Sequence, residues 1–350
     1  MIRVLVIDDS AVMRAFLARV IGAQPDMEVA GVVPDPLLAI ERVRRHAPDV
    51  ITLDVEMPGM NGLDFLRKLM SVKPLPVIMI SSLTREGAET TLRALELGAV
   101  DYFPKPSSFQ ELDGVGADIV EKIRTAAQAR VKRHGPAASG PVPLAAATPK
   151  PAVSRAAAAG TVIGIGASTG GVEALRNILT ELPGSMPPIL IAQHMLPGFT
   201  ETFARRLDAI CEMTVKQADD GEDVLQGTVY VAPGGRHLLL ARRANRYVVR
   251  VTDDAPVNRH RPSVDPLFRS MAEAAGERAI GVMLTGMGGD GAEAMLALRQ
   301  AGARTIAQDE ASCVVFGMPR QAIVLGAAGE VLGLADMARR LREMAADGAA

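Results

Sequence analysis

The sequence predicts an α/β protein of two doubly wound domains joined by a linker. Short apolar runs alternate with helical patterns along both halves of the chain, as they do in doubly wound parallel sheets. Between the halves, the composition becomes rich in Ala and Pro and contains no acidic residue, so we expect a flexible linker there. The expected domains cover residues 1–124 and 161–345, with residues 125–160 as the linker.

Five apolar runs in the first half predict a five-stranded parallel sheet. Helical patterns such as AVMRAFLARVIG and GLDFLRKLM lie between the runs, as expected for a chain that crosses back over its sheet. The five runs are IRVLVI, VAGVV, VITLDV, PVIMIS and AVDYF.

The second half predicts a mostly parallel sheet with an antiparallel portion. Strands are expected at TVIGIG, PILIAQ, AIGVMLTG and RTIAQ, with helices near Gly171–Leu182, Val264–Ala275 and Gly289–Ala301. The middle runs TVYVAP, HLLLA and YVVRV are separated only by the short turns GGR and RAN. Strands that follow one another so closely favour antiparallel pairing.

The composition is that of an ordinary globular protein, with 48% hydrophobic and 22% charged residues. A net charge of −2 gives no reason to expect nucleic acid or an anionic membrane as a partner. No apolar run reaches the roughly 18 residues that would span a bilayer, and MIRVLVIDDS does not resemble a signal peptide. The 2 cysteines are too few for a disulfide framework, so we expect a cytoplasmic protein without membrane insertion.

Acidic side chains gather at the predicted strand ends of the first domain. Asp8 and Asp9 follow the first strand, Asp54 ends the third, and Lys105 follows the fifth. Parallel strands of this fold end at the same edge, so these groups are expected to meet there. Three carboxylates together would repel one another unless a divalent cation such as Mg²⁺ bound them. One carboxylate could then attack a phosphoryl group, whose oxygens the metal and Lys105 would stabilise.

This group of residues resembles that of the receiver domain of two-component response regulators, over about residues 1–124. The resemblance implies a flavodoxin-like fold, a phosphate accepted from a histidine kinase, bound Mg²⁺, and a cis bond before Pro106. The implied roles are Mg²⁺ binding for Asp8, Asp9 and Asp54, phosphorylation for Asp54, phosphate contact for Lys105, and switch positions for Ser81 and Tyr102.

The stretch GIGASTGG at residues 164–171 follows a predicted strand and precedes a helix, which suits either a phosphate site or an exposed nucleophile. As a dinucleotide-binding fingerprint it has Thr169 where the third glycine should stand, and no acidic residue ends the next strand. As a G-x-S-x-G turn it exposes the Ser168 oxygen beside a helix N-terminus, which favours developing negative charge. The nucleophile is favoured, and a nucleotide- or phosphate-binding module remains the alternative.

A serine nucleophile needs a base and a carboxylate that orients it. His194 directly follows the strand after the Ser168 turn, so both side chains are expected at one sheet edge. Asp290, in MLTGMGGDGAEAM, again lies between a strand and a helix. His237 and His260 remain possible bases, and the order Ser–His–Asp does not imply the α/β-hydrolase fold.

Residues 160–342 resemble the catalytic domain of chemotaxis protein-glutamate methylesterases, the CheB family. The matching segments are IGASTGG, QHMLPGFTETFARRL, GTVYVAPGGRHL, RPSVDPLF, LTGMGGDGA and AQDEASCVVFGMP. The resemblance implies Ser168 as nucleophile, His194 as base and Asp290 as orienting carboxylate, without a cofactor. It also implies that the Met287 backbone N–H lies near the oxyanion.

The implied substrates are γ-glutamyl methyl esters on chemoreceptors, hydrolysed with release of methanol, with deamidation of certain glutamines as a second activity. Together with the receiver, this implies an enzyme of chemotactic adaptation that a chemotaxis histidine kinase controls by phosphorylation. A DNA-binding response regulator is the other competing class. The second domain opposes it, because its strands alternate with helices and its charge is slightly acidic.

Overall fold

The chain divides into two compact units, Met1–Pro141 and Val142–Ala350, each with a sheet of its own. The predicted linker begins within the last helix of the first unit, and residues 132–159 lie outside the described part of the chain. The linker and the exact domain boundaries therefore stay predictions. The computed structural model describes residues 1–57, 61–82, 84–106, 109–131 and 160–347.

Strands and helices alternate along the described residues of the first unit, as predicted. Strands β3 and β4 are buried at every position, which explains why they appear in the sequence as unbroken apolar runs. The elements are β1 (Ile2–Ile7), α1 (Ala11–Gly22), β2 (Met27–Val33), α2 (Pro36–His46), β3 (Val50–Asp54), α3 (Gly62–Val72), β4 (Val77–Ser81), α4 (Arg85–Glu96), β5 (Asp101–Pro104) and α5 (Phe109–Ala126).

The first sheet has the order β2-β1-β3-β4-β5, and all of its neighbouring strands pair in parallel. This is the predicted flavodoxin-like order, and it brings the carboxyl ends of β1, β3, β4 and β5 to one edge. Side-chain oxygens of Ser10, Asn61 and Thr84 accept from backbone N–H groups of α1, α3 and α4, so each helix begins directly after its capping residue.

The second unit is built on a longer parallel sheet and a separate hairpin. The elements are β6 (Val162–Ala167), α6 (Gly171–Leu179), β7 (Ile189–Gln193), α7 (Phe199–Asp208), β8 (Thr214–Gln217), β9 (Thr228–Val231), β10 (His237–Arg243), β11 (Arg246–Thr252), α8 (Val264–Ala274), β12 (Ala279–Met283), α9 (Ala292–Gln300), β13 (Arg304–Gln308), α10 (Met318–Val324), β14 (Glu330–Leu332) and α11 (Leu334–Asp347).

The second sheet has the order β14-β13-β12-β6-β7-β9-β8, with parallel pairing throughout. The predicted antiparallel portion is the two-stranded sheet of β10 and β11, which lies outside the main sheet. The RAN turn closes that hairpin, whereas GGR leads the chain from the main sheet into β10 and joins no antiparallel pair. The short edge strands β8 and β14 have no long apolar run, so the sequence pattern does not predict them.

The glycines of β6 allow a helix to pack directly on this strand. A Cβ atom on Gly164 would lie 2.3 Å from the Met271 sulfur, and one on Gly166 would lie 2.4 Å from Val264 Cγ1. Both neighbours belong to α8. Close packing therefore requires these glycines, and it places the N-terminus of α8 beside the end of β6.

None of the helices in the described part of the chain is both long enough and apolar enough to cross a membrane.

The cis peptide bond found among the described residues is Arg261–Pro262. The Lys105–Pro106 bond, for which a cis conformation is expected, is therefore not cis.

Candidate active site

Ser168 lies on a tight turn between β6 and α6, as the sequence predicts. Its backbone N–H donates to the Thr285 carbonyl at 3.0 Å, and Gly170 has a φ of 79°, which favours glycine. A Cβ atom on Gly170 would lie 2.6 Å from Val314 Cβ. The turn is thus fixed by neighbouring segments, with the serine at the carboxyl edge of the sheet.

His194 directly follows β7, the strand next to β6. Its backbone N–H donates to the Ala167 carbonyl at 3.0 Å. The buried Gln193 side chain donates to the carbonyls of Ser168 (3.0 Å) and His194 (3.1 Å). Gln193 therefore links the nucleophile turn to the loop of the base, a role that no pattern in the sequence indicates.

Ser168, His194 and Asp290 form a continuous hydrogen-bonded chain. His194 Nδ1 lies 3.1 Å from Ser168 Oγ, and His194 Nε2 lies 2.8 Å from Asp290 Oδ2. A carboxylate can only accept, so Asp290 favours the tautomer with the proton on Nε2 and leaves Nδ1 free to take the serine proton. The ring thus presents Nδ1 to the serine, where the chymotrypsin triad uses Nε2.

Asp290 is buried within a set of hydrogen-bond donors. Oδ1 accepts from Asn258 Nδ2 and Ser263 Oγ, each at 2.7 Å, and Oδ2 accepts from the Val264 backbone N–H at 2.7 Å as well as from His194. Although burial acts to raise it, these hydrogen bonds, with His194 the strongest, hold the pKa of Asp290 well below its usual range. The orienting group is therefore a carboxylate.

Three further residues of the site, Asn258, Ser263 and Asp265, could not be predicted as site residues from the sequence. Asn258 also donates to Asp265, whose other oxygen accepts from a backbone N–H of α9. Ser263 is the N-cap of α8 and lies in RPSVDPLF, so this segment supplies partners of the orienting carboxylate. Serine before an apolar helix is a recognisable capping signal, whereas a loop asparagine such as Asn258 gives no signal in a single sequence.

The two alternative histidines have different surroundings. His237 is buried, with Nδ1 accepting from Ser263 N–H and Nε2 donating to the Ala255 carbonyl, so both nitrogens are engaged. His260 stacks on His194, with ring centroids 3.8 Å apart and planes within 9°. Burial, and next the neighbouring charge of His194, lower the pKa of His260 to about 4. Neither ring hydrogen-bonds to Ser168, so His194 is the base that the geometry supports.

The loop before Met287 packs against the nucleophile. A Cβ atom on Gly286 would lie 2.7 Å from Ser168 Cβ, and the Gly286 N–H donates to the Val315 carbonyl. Met287 is the next residue along this loop, at the same edge of the sheet as Ser168. The role of its N–H as an oxyanion donor stays a prediction.

The first unit brings the predicted acidic pocket together. Lys105 Nζ lies 2.7 Å from Asp54 Oδ2 and 3.9 Å from Asp8 Oδ2, and both carboxylates are buried. One oxygen each of Asp8, Asp9 and Asp54 lie within 4.8 Å of one another. Burial, and next the charge of Asp8, raise the pKa of Asp54 to about 7 despite the ammonium beside it. Burial also raises the pKa of Asp8.

The pocket has the donor set that a hard divalent cation requires. Asp8 Oδ2 is buried and has no hydrogen-bond partner among the described residues, so a cation there would satisfy it. Arg14 donates to the backbone carbonyls of Asp8 (2.9 Å) and Asp9 (2.8 Å), which fixes the acidic turn. The residues present therefore fit Mg²⁺.

The expected switch residue Ser81 lies next to this pocket, since its backbone carbonyl accepts from the Lys105 N–H at 2.7 Å. Ser81 Oγ donates to the Gly87 carbonyl at 3.2 Å and accepts from Thr91 Oγ1 at 2.6 Å, so it is engaged with α4. Tyr102 is buried, with Lys122 Nζ 5.7 Å from its ring centre. Their switch roles stay predictions.

Each of the two units matches a known protein family. A family model described as CheB methylesterase matches residues 163–341, and one described as response regulator receiver domain matches residues 4–115. The chain is 54% identical over 350 residues to a protein-glutamate methylesterase/protein-glutamine glutaminase of Paraburkholderia xenovorans, with 97% of this chain and 95% of that protein covered. It is 52% identical over 348 residues to the protein of the same name from Salmonella typhimurium, with 97% and 96% covered.

A solved structure is similar to the second unit. The crystal structure of the Thermotoga maritima CheB methylesterase catalytic domain matches with 41% identity and a TM-score of 0.52. The match covers 53% of this chain and 98% of that domain.

Proposed function

The chain belongs to the CheB methylesterase family, and from this premise we propose that it hydrolyses γ-glutamyl methyl esters of chemoreceptors through Ser168. The observation that carries this proposal is the hydrogen-bonded chain Ser168–His194–Asp290 at a sheet edge. Such an arrangement activates a serine for attack on an ester carbonyl.

The reaction proceeds by two acyl transfers. His194 Nδ1 takes the proton of Ser168 Oγ as the oxygen attacks the ester carbonyl carbon, and Asp290 stabilises the imidazolium that forms. The imidazolium then returns the proton to the methoxide oxygen, so that methanol leaves and a glutamyl ester of Ser168 remains. Water, activated by the same nitrogen, hydrolyses this ester and regenerates the glutamate carboxylate and the serine.

Deamidation of receptor glutamines uses the same groups with a different leaving group. Attack of Ser168 on a side-chain amide expels ammonia, which takes its proton from the His194 imidazolium. The acyl-enzyme is identical to the one formed from the methyl ester, so its hydrolysis is also identical. The Met287 backbone N–H would stabilise the oxyanion formed in each attack. Such a donor lowers the free energy of the transition state by about 3 kcal/mol.

The first unit regulates this activity as a phosphorylated receiver. Asp54 accepts the phosphoryl group, and Lys105 contacts its oxygens from the position it already holds beside the carboxylate. Asp8, Asp9 and Asp54 would hold Mg²⁺, which when bound offsets both the carboxylate repulsion and the charge of the transferring phosphoryl group. Ser81 and Tyr102 respond to phosphorylation as switch residues.

The proposed organisation follows from these roles. Residues 1–124 form the receiver, residues 125–160 the linker and residues 161–345 the esterase domain. The phosphodonor is a chemotaxis histidine kinase, the substrates are cytoplasmic parts of chemoreceptors, and the protein acts in the cytoplasm without binding nucleic acid. The alternative nucleotide site at GIGASTGG is disfavoured, because Gly164 and Gly166 pack against α8 and do not line an open loop.

The experiment measures methanol release from membranes that contain methylated receptors, with and without a small phosphodonor. Wild-type protein is expected to release methanol faster with the phosphodonor. Ser168→Ala is expected to release none, and Asp54→Asn to release methanol without responding to the phosphodonor. Release that survives Ser168→Ala would contradict the proposed nucleophile.

A further inference from the structure

His260 lies face to face with the base of the triad. The ring centroids of His194 and His260 are 3.8 Å apart, and the ring planes differ by 9°. His260 does not hydrogen-bond to Ser168 or Asp290, so it takes no part in the hydrogen-bonded chain itself. Its contact with the site is the broad face of the base.

One tight turn contains residues that contact two members of the triad. The backbones of Val257 and His260 exchange two hydrogen bonds, of 3.1 and 2.8 Å. The two residues between them, Asn258 and Arg259, have φ values of 51° and 64°, a left-handed conformation that non-glycine residues rarely adopt. Such strain persists where the surroundings impose it, often at active sites. This turn places Asn258 on Asp290 and His260 on His194.

The two hydrogen bonds of His194 join its ring nitrogens to Ser168 and Asp290. Hydrogen bonds to ring nitrogens lie near the ring plane, so they restrain displacement of the ring out of that plane only weakly. Such a displacement would move the Nδ1 lone pair out of line with the serine proton. A second flat ring, parallel and in van der Waals contact, limits this motion on one face of His194.

The charge of His260 suits this position. With a pKa of about 4, its ring is neutral at neutral pH and presents an uncharged aromatic face to His194. An aromatic face attracts a neighbouring cation, so the contact strengthens when His194 becomes an imidazolium in the transition state. A protonated His260 would instead repel it.

We propose that His260 is a positioning residue of the esterase, which fixes the ring plane of His194 by parallel stacking and stabilises the imidazolium with a neutral aromatic face. This inference rests on the proposed function, because it assigns His260 a role through the base of that reaction. It predicts that a flat aromatic side chain at position 260 is sufficient, and that an apolar side chain of similar size without a flat face is not.

The matched variants are His260→Phe and His260→Leu in the full-length protein. Methanol release from methylated receptor membranes should fall about 10- to 100-fold in kcat for the leucine variant, the loss expected from a misplaced catalytic group, with KM unchanged. The phenylalanine variant should stay within about threefold of wild type because it retains the aromatic face. Thermal unfolding identifies loss of fold, and His260→Met replaces the leucine variant if that variant does not fold.

A second readout uses no receptor. Labelling of Ser168 by a fluorophosphonate, followed by mass spectrometry, requires the activated serine but not the natural substrate. The labelling rate should fall in the leucine variant in parallel with kcat and be preserved in the phenylalanine variant. Equal losses in both variants, a change confined to KM, or unchanged labelling in the leucine variant would each overturn the inference. Wild-type protein that is not labelled at Ser168 would overturn the proposed nucleophile as well, which separates the two failures.

Discussion

The Nδ1 nitrogen of His194 lies 3.1 Å from the hydroxyl oxygen of Ser168, with the opposite ring nitrogen held by Asp290. The hydrogen bond to the carboxylate therefore decides which nitrogen carries the proton, and so whether the serine has a base at all. This dependence makes Asp290 a stringent test of the mechanism.

Asp290→Asn should lower kcat for methanol release by about 10⁴-fold with little change in KM. An amide can donate to Nε2, which would favour the tautomer that blocks Nδ1, and it cannot stabilise the imidazolium by charge. Steady-state methanol release checks this, with thermal unfolding as the control for folding. A loss of less than about tenfold would show that Asp290 does not set the tautomer.

Asn258 should be sensitive to charge as well as to removal. Its amide nitrogen donates to both Asp290 and Asp265, so Asn258→Gly removes two hydrogen bonds without straining a backbone that already has positive φ. We expect a loss of about 1–3 kcal/mol in the free energy of unfolding. Asn258→Asp is nearly isosteric but faces two carboxylates, so it should be less stable than the glycine variant. Chemical denaturation ranks the three proteins, and an aspartate variant at least as stable as the glycine variant would contradict the assigned contacts.

The Asp54 pocket should make the stability of the first unit depend on pH. The pKa of Asp54 is about 7 in the folded protein and near 3.8 without the fold, so the folded state binds more protons between these values. Stability should therefore fall as the pH rises from about 4 to 7 and level off above, by about 2 kcal/mol once solvent screening is allowed for. Thermal unfolding of the first unit, followed at several pH values, measures this dependence.

The control for the pH effect is Asp54→Asn, which removes the titrating group. This variant should be more stable than wild type at pH 8 and should show less of the decline between pH 5 and 8. Adding Mg²⁺ at pH 8 should stabilise wild type more than the variant, since the cation offsets the carboxylate repulsion. A wild-type stability that rises with pH over this range would show that the pKa of Asp54 is not raised.

The glycines of β6 should tolerate no side chain. Gly166→Ala would place a Cβ atom 2.4 Å from Val264 Cγ1, so overpacking should cost about 1–3 kcal/mol of unfolding free energy. The second change Val264→Ala should restore part of this loss by removing the clash. Gly22→Ala is the control, because nothing lies within 4 Å of its Cβ position in α1. Equal effects at positions 22 and 166 in denaturant unfolding would contradict the packing argument.

The strand ends could be predicted from the sequence because parallel strands terminate at a common edge. Asp8, Asp54 and Lys105 directly follow or end apolar runs, and they meet in the first unit as expected. The placements of Ser168 and His194 after β6 and β7 follow from the same rule. In each case, the local pattern of the chain contains the information that the tertiary contact requires.

The remaining contacts depend on a loop whose course no local pattern determines. Asn258 and His260 reach the triad because the turn after the β10–β11 hairpin folds over the sheet edge. The sequence predicts the hairpin as part of the main sheet, whereas β10 and β11 form a separate sheet. This separation reflects packing of β10 against α8, which involves residues far apart in sequence. Ser81 shows a related limit, since its position along the chain does not reveal that its hydroxyl bonds to Thr91.

The most direct test of the proposed function is mass spectrometry of a chemoreceptor's cytoplasmic region, prepared with methylated glutamates and intact glutamines, after incubation with the full-length protein. We predict that wild-type protein converts the glutamate methyl esters to glutamate and specific glutamines to glutamate, and that Ser168→Ala converts neither. Methyl esters that stay intact with the phosphorylated wild-type protein, or that are lost with Ser168→Ala, would contradict the account.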